Sequence, residues 1–396
     1  MSTLLKNVRL IKALTEGYDE CMADILIDGS LIADIRKAGS SYDCSDTVDF
    51  NGRTLLPGFF DLHMHLNFFT ADFDRYAIES ASESKTLIHS IEYAGAFLKQ
   101  GFTTVRDCGN IYYSGMTVKN AINNGIIDGP RIITAGRCIT PTTIGNCTFP
   151  GLYAEANSPE ELLKACREDC AQKVDFLKYM GTGSVANEGG EPGALITTQK
   201  ELEAMQYAAE SLGKDVAVHC HGKSGIMLCI NVGIKTVEHA SYLDDECIEN
   251  ILAHNNNTAI IPTLSPIALM EEGVLDESIS KKIDSIDDSE PLHPMVKAMR
   301  AGVKIGWGTD ISMSFFKDHP GCEFLLRAQR GFSNIEILKQ VTLNSAEIMG
   351  MDDKLGTIKI GKIADFVIVD GNPDEDISVM KNMPYAVYKE GRRFTE

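Results

Sequence analysis

Two histidines, His63 and His65, close an apolar run that begins at Leu55. Side chains alternate faces along a β-strand, so residues at positions i and i+2 point to the same side. Two imidazoles on one side of a strand end can bind the same metal ion. A pair at this spacing also occurs among ordinary packed or surface histidines. The pair therefore predicts a metal site only if further ligands occur elsewhere in the chain.

Further side chains that suit metal chemistry occur at the ends of other predicted strands. They are Lys178, His219, His221, His239 and Asp310. The remaining four histidines, expected to be ordinary structural or surface residues, are His89, His254, His293 and His319. Even without His221, four histidines, one aspartate and one lysine exceed one tetrahedral site. Two metal ions are therefore expected, with zinc favoured by the imidazole ligands.

Lys178 is the unusual member of this set, because a protonated ammonium has no lone pair and repels a cation. A neutral amine can take up CO2 as a carbamate, whose two oxygens can bridge two metal ions. Burial beside metal ions lowers the pKa of a lysine and so favours the neutral amine that this reaction needs. Carbamylation is therefore one way in which Lys178 can take part in a metal site.

The middle of the chain alternates short apolar strands with longer helical patterns, which is typical of an α/β fold of the (β/α)8, or TIM, barrel type. The predicted strands are 55–65, 103–109, 131–136, 176–181, 215–221, 236–240, 258–264 and 304–310. The predicted helices include 88–100, 159–173, 199–212, 225–232 and 245–253. In such a barrel the chemistry lies at the C-terminal strand ends, where the candidate ligands fall. A doubly wound sheet is the alternative, but it usually has fewer strands, and the chain has no G-x-G-x-x-G turn.

Three regions fall outside this alternation. Both ends of the chain carry short apolar strands split by turn signals. Together they predict a small β-sandwich domain built from both termini, residues 1–55 and 352–396, with the barrel over 56–351. The long acidic segment 265–295 follows the seventh strand, at the mouth of the barrel. It could be a lid, but a loop that extends into solvent, a solvated excursion, is the default prediction.

The bulk composition, 396 residues with 44% apolar and 23% charged side chains, is that of a soluble globular protein. A net charge of −19 argues against nucleic acid or an anionic membrane as a partner, since phosphate binding needs clustered Lys and Arg. The eleven cysteines include no C-x-x-C pair, so reduced thiols are expected. The N-terminus lacks the apolar stretch of a signal peptide, so a cytoplasmic enzyme is the expectation.

Seven motifs, taken in order, resemble the amidohydrolase superfamily, in its imidazolonepropionase- and prolidase-like branch of Xaa-Pro or Xaa-Arg dipeptidase-like enzymes. The motifs are LPGFFDLHMH (56–65), GFTTVRD (101–107), DFLK (175–178), VHCHG (218–222), VEH (237–239), GTD (308–310) and GKIADFV (361–367). They span nearly the whole chain. The resemblance implies the barrel with its small β-domain and a metal-dependent hydrolase that acts on carbon–nitrogen bonds. Relatives of this kind often form homo-oligomers.

The resemblance also implies roles for individual residues. The implied ligands of two zinc ions are His63, His65, Lys178, His219, His239 and Asp310. His63 and His65 hold the first ion with Asp310, the other two histidines hold the second, and the carbamylated lysine bridges both together with a hydroxide. Asp310 accepts the proton of this hydroxide as general base and delivers it to the leaving nitrogen as general acid. His221 contacts the substrate carbonyl.

The resemblance implies an enzyme that acts on small molecules. A dipeptidase, a carboxypeptidase or an N-acyl amino acid hydrolase is the leading prediction. One departure bears on the substrate. Where many relatives carry a Gly-Gly-His loop after strand three, this chain reads CITPTTIGNC (138–147). Arg137 or Asn146 then stands in as a substrate contact, and Tyr242 is a further candidate. A cyclic amide or imidazolone substrate stays open for this reason. A metal-free scaffold protein also stays open as an alternative, although all six predicted ligands are present. A mononuclear nucleobase deaminase is disfavoured, because such enzymes usually lack the bridging lysine.

Overall fold

A computed structural model of the chain describes residues 2–42, 44–186, 190–254, 258–266, 269, 277–286 and 293–394. By contact the chain divides into two compact units. The first comprises Met1–Asp61, Gly95–Thr104 and His319–Glu396, and the second comprises Leu62–Ala94 and Val105–Asp318. The domain boundaries placed after residues 55 and 351 stay a prediction.

Short strands and helices alternate through the described residues. The strands are β1 (Ser2–Leu10), β2 (Met22–Asp28), β3 (Leu31–Lys37), β4 (Asp46–Asp49), β5 (Thr54–Pro57), β6 (Phe59–Met64), β7 (Phe102–Asp107), β8 (Arg131–Thr134), β9 (Cys138–Thr140), β10 (Tyr153–Glu155), β11 (Leu177–Met180), β12 (Val216–Cys220), β13 (Thr236–His239), β14 (Ala259–Ile261), β15 (Phe366–Val369), β16 (Ala386–Lys389) and β17 (Arg392–Arg393). The helices are Phe73–Ser80, Glu83–Lys99, Ser114–Asn123, Pro159–Ala171, Gln199–Ser211, Lys223–Val232, Asp245–Ala253, Glu277–Ile286, Pro294–Ala301, Met313–Asp318, Cys322–Gln329, Asn334–Lys339 and Ser345–Ile348. None of these helices is both long and apolar enough to cross a membrane.

The strands from both termini form one hydrogen-bonded sheet in the order β17-β16-β15-β5-β1-β2-β3, with β4 branching from β1. β5 pairs in parallel with the second half of β1 and antiparallel with β15, so the C-terminal strands join the N-terminal ones. A buried apolar core that includes Val8, Ile25, Phe50 and Phe366 packs against this sheet. The small β-domain built from both termini, predicted from the sequence, is confirmed.

The run 55–65, predicted as one strand, is two strands separated at Gly58. β5 belongs to the terminal sheet, whereas β6 pairs with β7. A side chain at Gly58 would place its Cβ 2.2 Å from Thr103 Oγ1, so only glycine fits the break. Apolar periodicity alone does not reveal such a break, because both halves are fully buried.

The second unit contains a closed ring of parallel strands. β11, β12, β13 and β14 pair in that order, and β7 pairs with β6 on one side and with β8 on the other. The Asp175 amide donates to Thr134 O at 2.8 Å, which joins β8 to the segment that leads into β11. Residues 304–308 close the ring: Ile305 and Gly308 bridge to the segment around β14, and the Leu62 amide donates to Trp307 O at 2.7 Å. The predicted barrel is therefore confirmed, and its eighth strand pairs only through isolated bridges.

Local sequence signals set the limits of the helices that cover the barrel strands. Thr198 accepts a hydrogen bond from the Glu201 amide, and the Glu201 side chain accepts one from the Thr198 amide, so helix Gln199–Ser211 begins with a capping box. Helix Lys223–Val232 ends at Gly233, whose φ of 86° is left-handed and suits glycine. These positions agree with the helices predicted over 199–212 and 225–232.

Candidate active site

A single cavity at the C-terminal ends of the barrel strands collects the predicted site residues. Its lining includes His63, His65, Lys178, His219, His221, His239 and Asp310. The empty space in this region, which includes the open solvent at its mouth, is about 1300 Å³. The period of two along β6 and β12 places two histidines from each strand end on the cavity side. The convergence predicted from five separate strand ends is therefore present in the fold.

The candidate ligands form two adjacent groups within the cavity. In each group the potential ligand atoms lie within 4.8 Å of one another; the groups are His63, His65 and Asp310, and His219, His221 and His239. Asp310 lies between them, since its Oδ1 is 3.6 Å from His65 Nε2 and its Oδ2 is 4.0 Å from His239 Nε2. The imidazole centroids of His63 and His239 are 4.6 Å apart, so the two groups are neighbours rather than separate sites.

Hydrogen bonds to the outer ring nitrogens fix which nitrogen faces the cavity. The Nδ1 atoms of four histidines each have an oxygen partner at 2.7 or 2.8 Å: His63 with Glu238, His65 with Gly109 O, His221 with Ser241 and His239 with Thr263. The partners of His63 and His65 can only accept, so in these two rings Nδ1 is the donor and the lone pair lies on Nε2. The hydroxyl partners of His221 and His239 can accept from Nδ1 or donate to it. His219 uses its ring nitrogens the other way round. Its Nε2 lies 3.1 Å from Gly183 O, which leaves Nδ1 to act as the ligand.

Burial keeps these imidazoles neutral. Loss of hydration lowers the pKa of His63, His219 and His239 well below the usual value of imidazole, and it lowers the pKa of His221 to about 3. Burial raises the pKa of Asp310, while His65 and Lys178 oppose that rise. Neutral imidazole is the form that binds metal, so the site holds its ligands in the required protonation state.

The side chains present fit a divalent metal centre. Lys178 Nζ, His221 Nε2 and His239 Nε2 are buried and have no hydrogen-bond partner among the described residues. Buried polar atoms without a partner are rare in folded proteins, and a bound ion satisfies them. His239 and Asp310 also have left-handed backbones, with φ of 68° and 49°, a strained conformation that concentrates at functional sites. A set of imidazole nitrogens with one carboxylate is the donor set that zinc and similar ions prefer.

A sequence profile described as the Amidohydrolase family matches residues 54–394. The chain belongs to the amidohydrolase family. It is 30% identical over 382 residues to an ochratoxinase of Aspergillus niger, covering 86% of this chain and 75% of that relative. A solved Xaa-Pro dipeptidase with bound methionine in the active site is 29% identical with a TM-score of 0.84, covering 100% of both chains. A solved prolidase complexed with N-methylphosphonate-L-proline is 26% identical with a TM-score of 0.87, covering 100% of this chain and 99% of that one.

These relatives confirm the recognition of a prolidase-like amidohydrolase and its TIM barrel with a small sheet domain. The protein is a hydrolase that acts on carbon–nitrogen bonds of small molecules, in a family that generally depends on metal. The cavity carries histidine and aspartate clusters able to bind such a metal. A metal-free scaffold, the alternative from another class of protein, is not supported.

A buried ion pair orients one of the candidate ligands and was not found from the sequence. Glu238 accepts a hydrogen bond from His63 Nδ1 at 2.7 Å, and both of its oxygens accept from Arg106 Nη2, at 2.7 and 2.8 Å. Thr236 Oγ1 donates to the same carboxylate at 2.6 Å. Because the Arg106 guanidinium neutralises Glu238, the grouping of His63, Cys108 and Glu238 is a support for His63 rather than a third metal site.

Replacement of Arg106 by methionine is expected to lower the free energy of unfolding by about 3–5 kcal/mol, because it leaves the fully buried Glu238 carboxylate without its charge partner. Urea unfolding followed by circular dichroism measures the change. Arg75→Met is the matched control: it breaks an exposed pair with Glu79, and solvent-exposed pairs contribute little to stability. Equal losses in the two variants would contradict a structural role for the buried pair.

The structure does not bring every predicted substrate contact to the cavity. Arg137 Nε lies 2.9 Å from Asp169 Oδ1, and this pair holds the guanidinium away from the cavity lining. Tyr242 is 38% exposed and is not among the described residues that line the cavity. The Asn146 amide donates to Pro141 O and Glu155. The geometry therefore does not support Arg137, Asn146 and Tyr242 as substrate contacts. Arg137 and Asn146 are hydrogen-bonded to neighbouring groups, and Tyr242 lies outside the described lining of the cavity.

The acidic segment 265–295 provides part of the cavity wall. Residues 267, 268, 270–276 and 287–292, which include most of its acidic side chains, lie outside the described residues. Helix Glu277–Ile286 buries Ile279 and Ile283, and both line the cavity. The default interpretation of the segment as a solvated excursion is therefore wrong for this helix. The sequence carries a signal for this buried helix, because two isoleucines four positions apart lie on one face of a helix and make that face apolar.

Proposed function

We propose that the protein is a binuclear zinc hydrolase that cleaves the amide bond between an acyl group and an amino acid, as dipeptidases, carboxypeptidases and N-acyl amino acid hydrolases do. The observation that carries this proposal is the convergence of six metal-binding side chains on one cavity in which Lys178 Nζ is buried without a partner. An amine in that position is explained by carbamylation, which converts it into a ligand with two oxygens.

The grouping of the side chains supports one assignment of ligands to the ions. His63 and His65, together with Asp310, would hold the first ion. His219 and His239 would hold the second, and carbamylated Lys178 would serve as a ligand of both. His221 belongs to the second group by distance, and its buried Nε2 is available to contact the substrate carbonyl.

When bound, two divalent ions polarise a substrate carbonyl and lower the pKa of water to near neutrality. The side chains of the protein then carry the proton transfers. Asp310 accepts the proton of the attacking water and delivers it to the leaving nitrogen, which one carboxylate between the two groups is placed to do. His221 is neutral, because burial lowers its pKa to about 3. When its Nδ1 accepts from the Ser241 hydroxyl, its Nε2–H donates to the carbonyl oxygen of the substrate.

The similar structures support a peptide-like substrate, since they include a Xaa-Pro dipeptidase and a prolidase complexed with N-methylphosphonate-L-proline. Both have a TM-score above 0.8 over the full length of this chain. The ochratoxinase shows by its name that a relative of this chain acts on ochratoxin. We propose that the bond cleaved by this protein is an amide bond that links an amino acid to an acyl group.

Removal of metal by a chelator is expected to abolish hydrolysis of hippuryl amino acids and dipeptides, and zinc is expected to restore it. The assay compares initial rates of the untreated, stripped and zinc-reloaded protein on both substrate sets. Rates that do not change on stripping would contradict a metal-dependent reaction. Cleavage of cyclic amides alone by the zinc-loaded protein would contradict the linear amide substrate and leave the metal centre in place.

A further inference from the structure

His293 is the one imidazole of the described cavity lining that lies outside both candidate ligand groups. Its side chain is only 5% exposed. The sequence predicts an ordinary structural or surface residue at this position. The structure agrees in part, because His293 caps the helix Pro294–Ala301, and it adds a place in the wall of the active-site cavity.

The cap fixes which ring nitrogen of His293 carries the proton. Its Nδ1 accepts a hydrogen bond from the Met295 amide at 3.3 Å. A backbone amide can only donate, so Nδ1 carries no proton and the neutral ring is protonated on Nε2. The Nε2–H group is therefore the only hydrogen-bond donor of this imidazole, and the backbone of its own helix sets that state.

Three other polar side chains of the lining hydrogen-bond to neighbours in the cavity wall. The pairs are Ser241 with His221, Thr263 with His239, and Asn67 with Tyr76. These bonds orient other side chains of the site. His293 differs, because its bond to the helix amide uses the acceptor of the ring and thereby defines a donor.

The chemistry of the substrates indicates which of their groups this donor suits. Dipeptides and N-acyl amino acids have two oxygen-bearing groups in common, the scissile carbonyl and the terminal carboxylate. The proposed mechanism assigns the carbonyl to the metal centre and His221. A carboxylate only accepts, and a hydrogen bond to an ionised acceptor is stronger than one between neutral groups. Apolar side chains such as Leu264, Ile279 and Ile283 line the same cavity, and a low dielectric strengthens such a bond further.

We infer that His293 is a specificity-determining residue whose Nε2–H donates a hydrogen bond to the terminal carboxylate of the substrate. The inference rests on the proposed function, since it concerns the same substrates in the same cavity. It adds to that function a residue that selects a free carboxylate over an amide at the end of the leaving amino acid.

Matched substrates test this selection with the zinc-loaded full-length protein. Hippuryl-phenylalanine and hippuryl-phenylalaninamide have the same scissile bond and differ in the charge of the terminal group, so the release of hippurate is measured for both. We expect kcat/KM for the acid to exceed that for the amide by at least about tenfold, because a hydrogen bond to a charged group is the stronger one. Equal values, or a preference for the amide, would overturn the inference and leave the proposed function intact.

His293→Ser removes the imidazole donor and keeps the helix cap, since serine is a favoured N-cap residue. We expect this variant to lose at least about tenfold in kcat/KM for the acid, mostly through a higher KM, and less than about threefold for the amide. Its melting temperature should stay close to that of the wild type. His254→Ser is the control and should change neither substrate, because His254 is exposed and is not among the described residues that line the cavity.

Binding to the metal-stripped protein separates this contact from the metal chemistry. Isothermal titration calorimetry with hippuryl-phenylalanine measures Kd without turnover, and we expect Kd to be about tenfold higher in His293→Ser than in the wild type. An unchanged Kd in the folded variant would contradict the contact, and so would an unchanged ratio of acid to amide.

The outcomes separate the inference from the proposed function. If circular dichroism shows that His293→Ser does not fold, the comparison of acid and amide on the wild-type protein decides. Failure of the zinc-loaded wild type to cleave any of the hippuryl compounds or dipeptides would overturn the proposed function. A weaker binding of hippuryl-phenylalanine to stripped His293→Ser would still support the carboxylate contact in that case.

Discussion

Asp310→Asn is expected to remove nearly all turnover while most of the bound metal remains. Asparagine has the same size and keeps one oxygen between the two histidine groups, but it cannot accept and return a proton. It also tolerates the left-handed backbone at this position, where φ is 49°, so the fold should persist. Loss of a general acid–base group lowers kcat by about 10²–10⁴-fold, and we expect a value near the upper end because one carboxylate serves both proton transfers.

The measurement combines kcat on hippuryl substrates with metal content by elemental analysis. Asp318→Asn is the matched control, since Asp318 is exposed and does not line the cavity. It should keep both kcat and metal content. A near wild-type kcat in Asp310→Asn, across the substrates that the native protein cleaves, would contradict the assigned role. A loss of all metal in that variant would instead show that Asp310 acts mainly as a ligand.

Two replacements of Lys178 should lose activity to the same extent and differ in chemical rescue. Lys178 lies on β11 between Ala217 of β12 and Cys138 of β9, and its side chain is fully buried. Lys178→Ala opens a space in place of the side chain, whereas Lys178→Met fills that space with an apolar group. Both variants lack the amine needed for a carbamate, so we expect kcat to fall by about 10³-fold.

A small carboxylate can occupy the space in Lys178→Ala and supply the two oxygens of the missing carbamate. Propionate should therefore restore part of the activity of Lys178→Ala and none of the activity of Lys178→Met. The assay titrates propionate against the zinc-loaded variants and the wild type, which should not respond. Wild-type rates in either variant without propionate would contradict a bridging role for Lys178. Equal stimulation of both variants would show that propionate acts elsewhere.

Much of the site could be predicted because strand geometry is periodic. His63 and His65 lie two positions apart at the C-terminal end of β6, so they share a face, and the parallel strands of a barrel bring their C-terminal ends together. The same rule placed Lys178, His239 and Asp310 in one cavity although they are far apart in the chain. The β-domain followed from apolar runs and turn residues at both termini.

The partners of these residues could not be predicted, because they depend on contacts that leave no local pattern. Glu238 and Arg106 are 132 residues apart, and only the closed barrel shows that the guanidinium neutralises the carboxylate that orients His63. Arg137 follows the third strand and was a candidate substrate contact. In the structure, the buried Asp169 from helix Pro159–Ala171 binds it. The break at Gly58 was also hidden, since apolar residues continue on both sides of it.

Native mass spectrometry of the zinc-loaded protein tests the binuclear centre most directly, because one spectrum reports both the number of metal ions and the state of Lys178. The account predicts a folded chain that carries two zinc ions and the mass of one CO2, with the CO2 absent from Lys178→Met. A wild-type protein that binds one zinc ion or none, without added CO2, would contradict the central claim that Lys178 bridges two metals in this cavity.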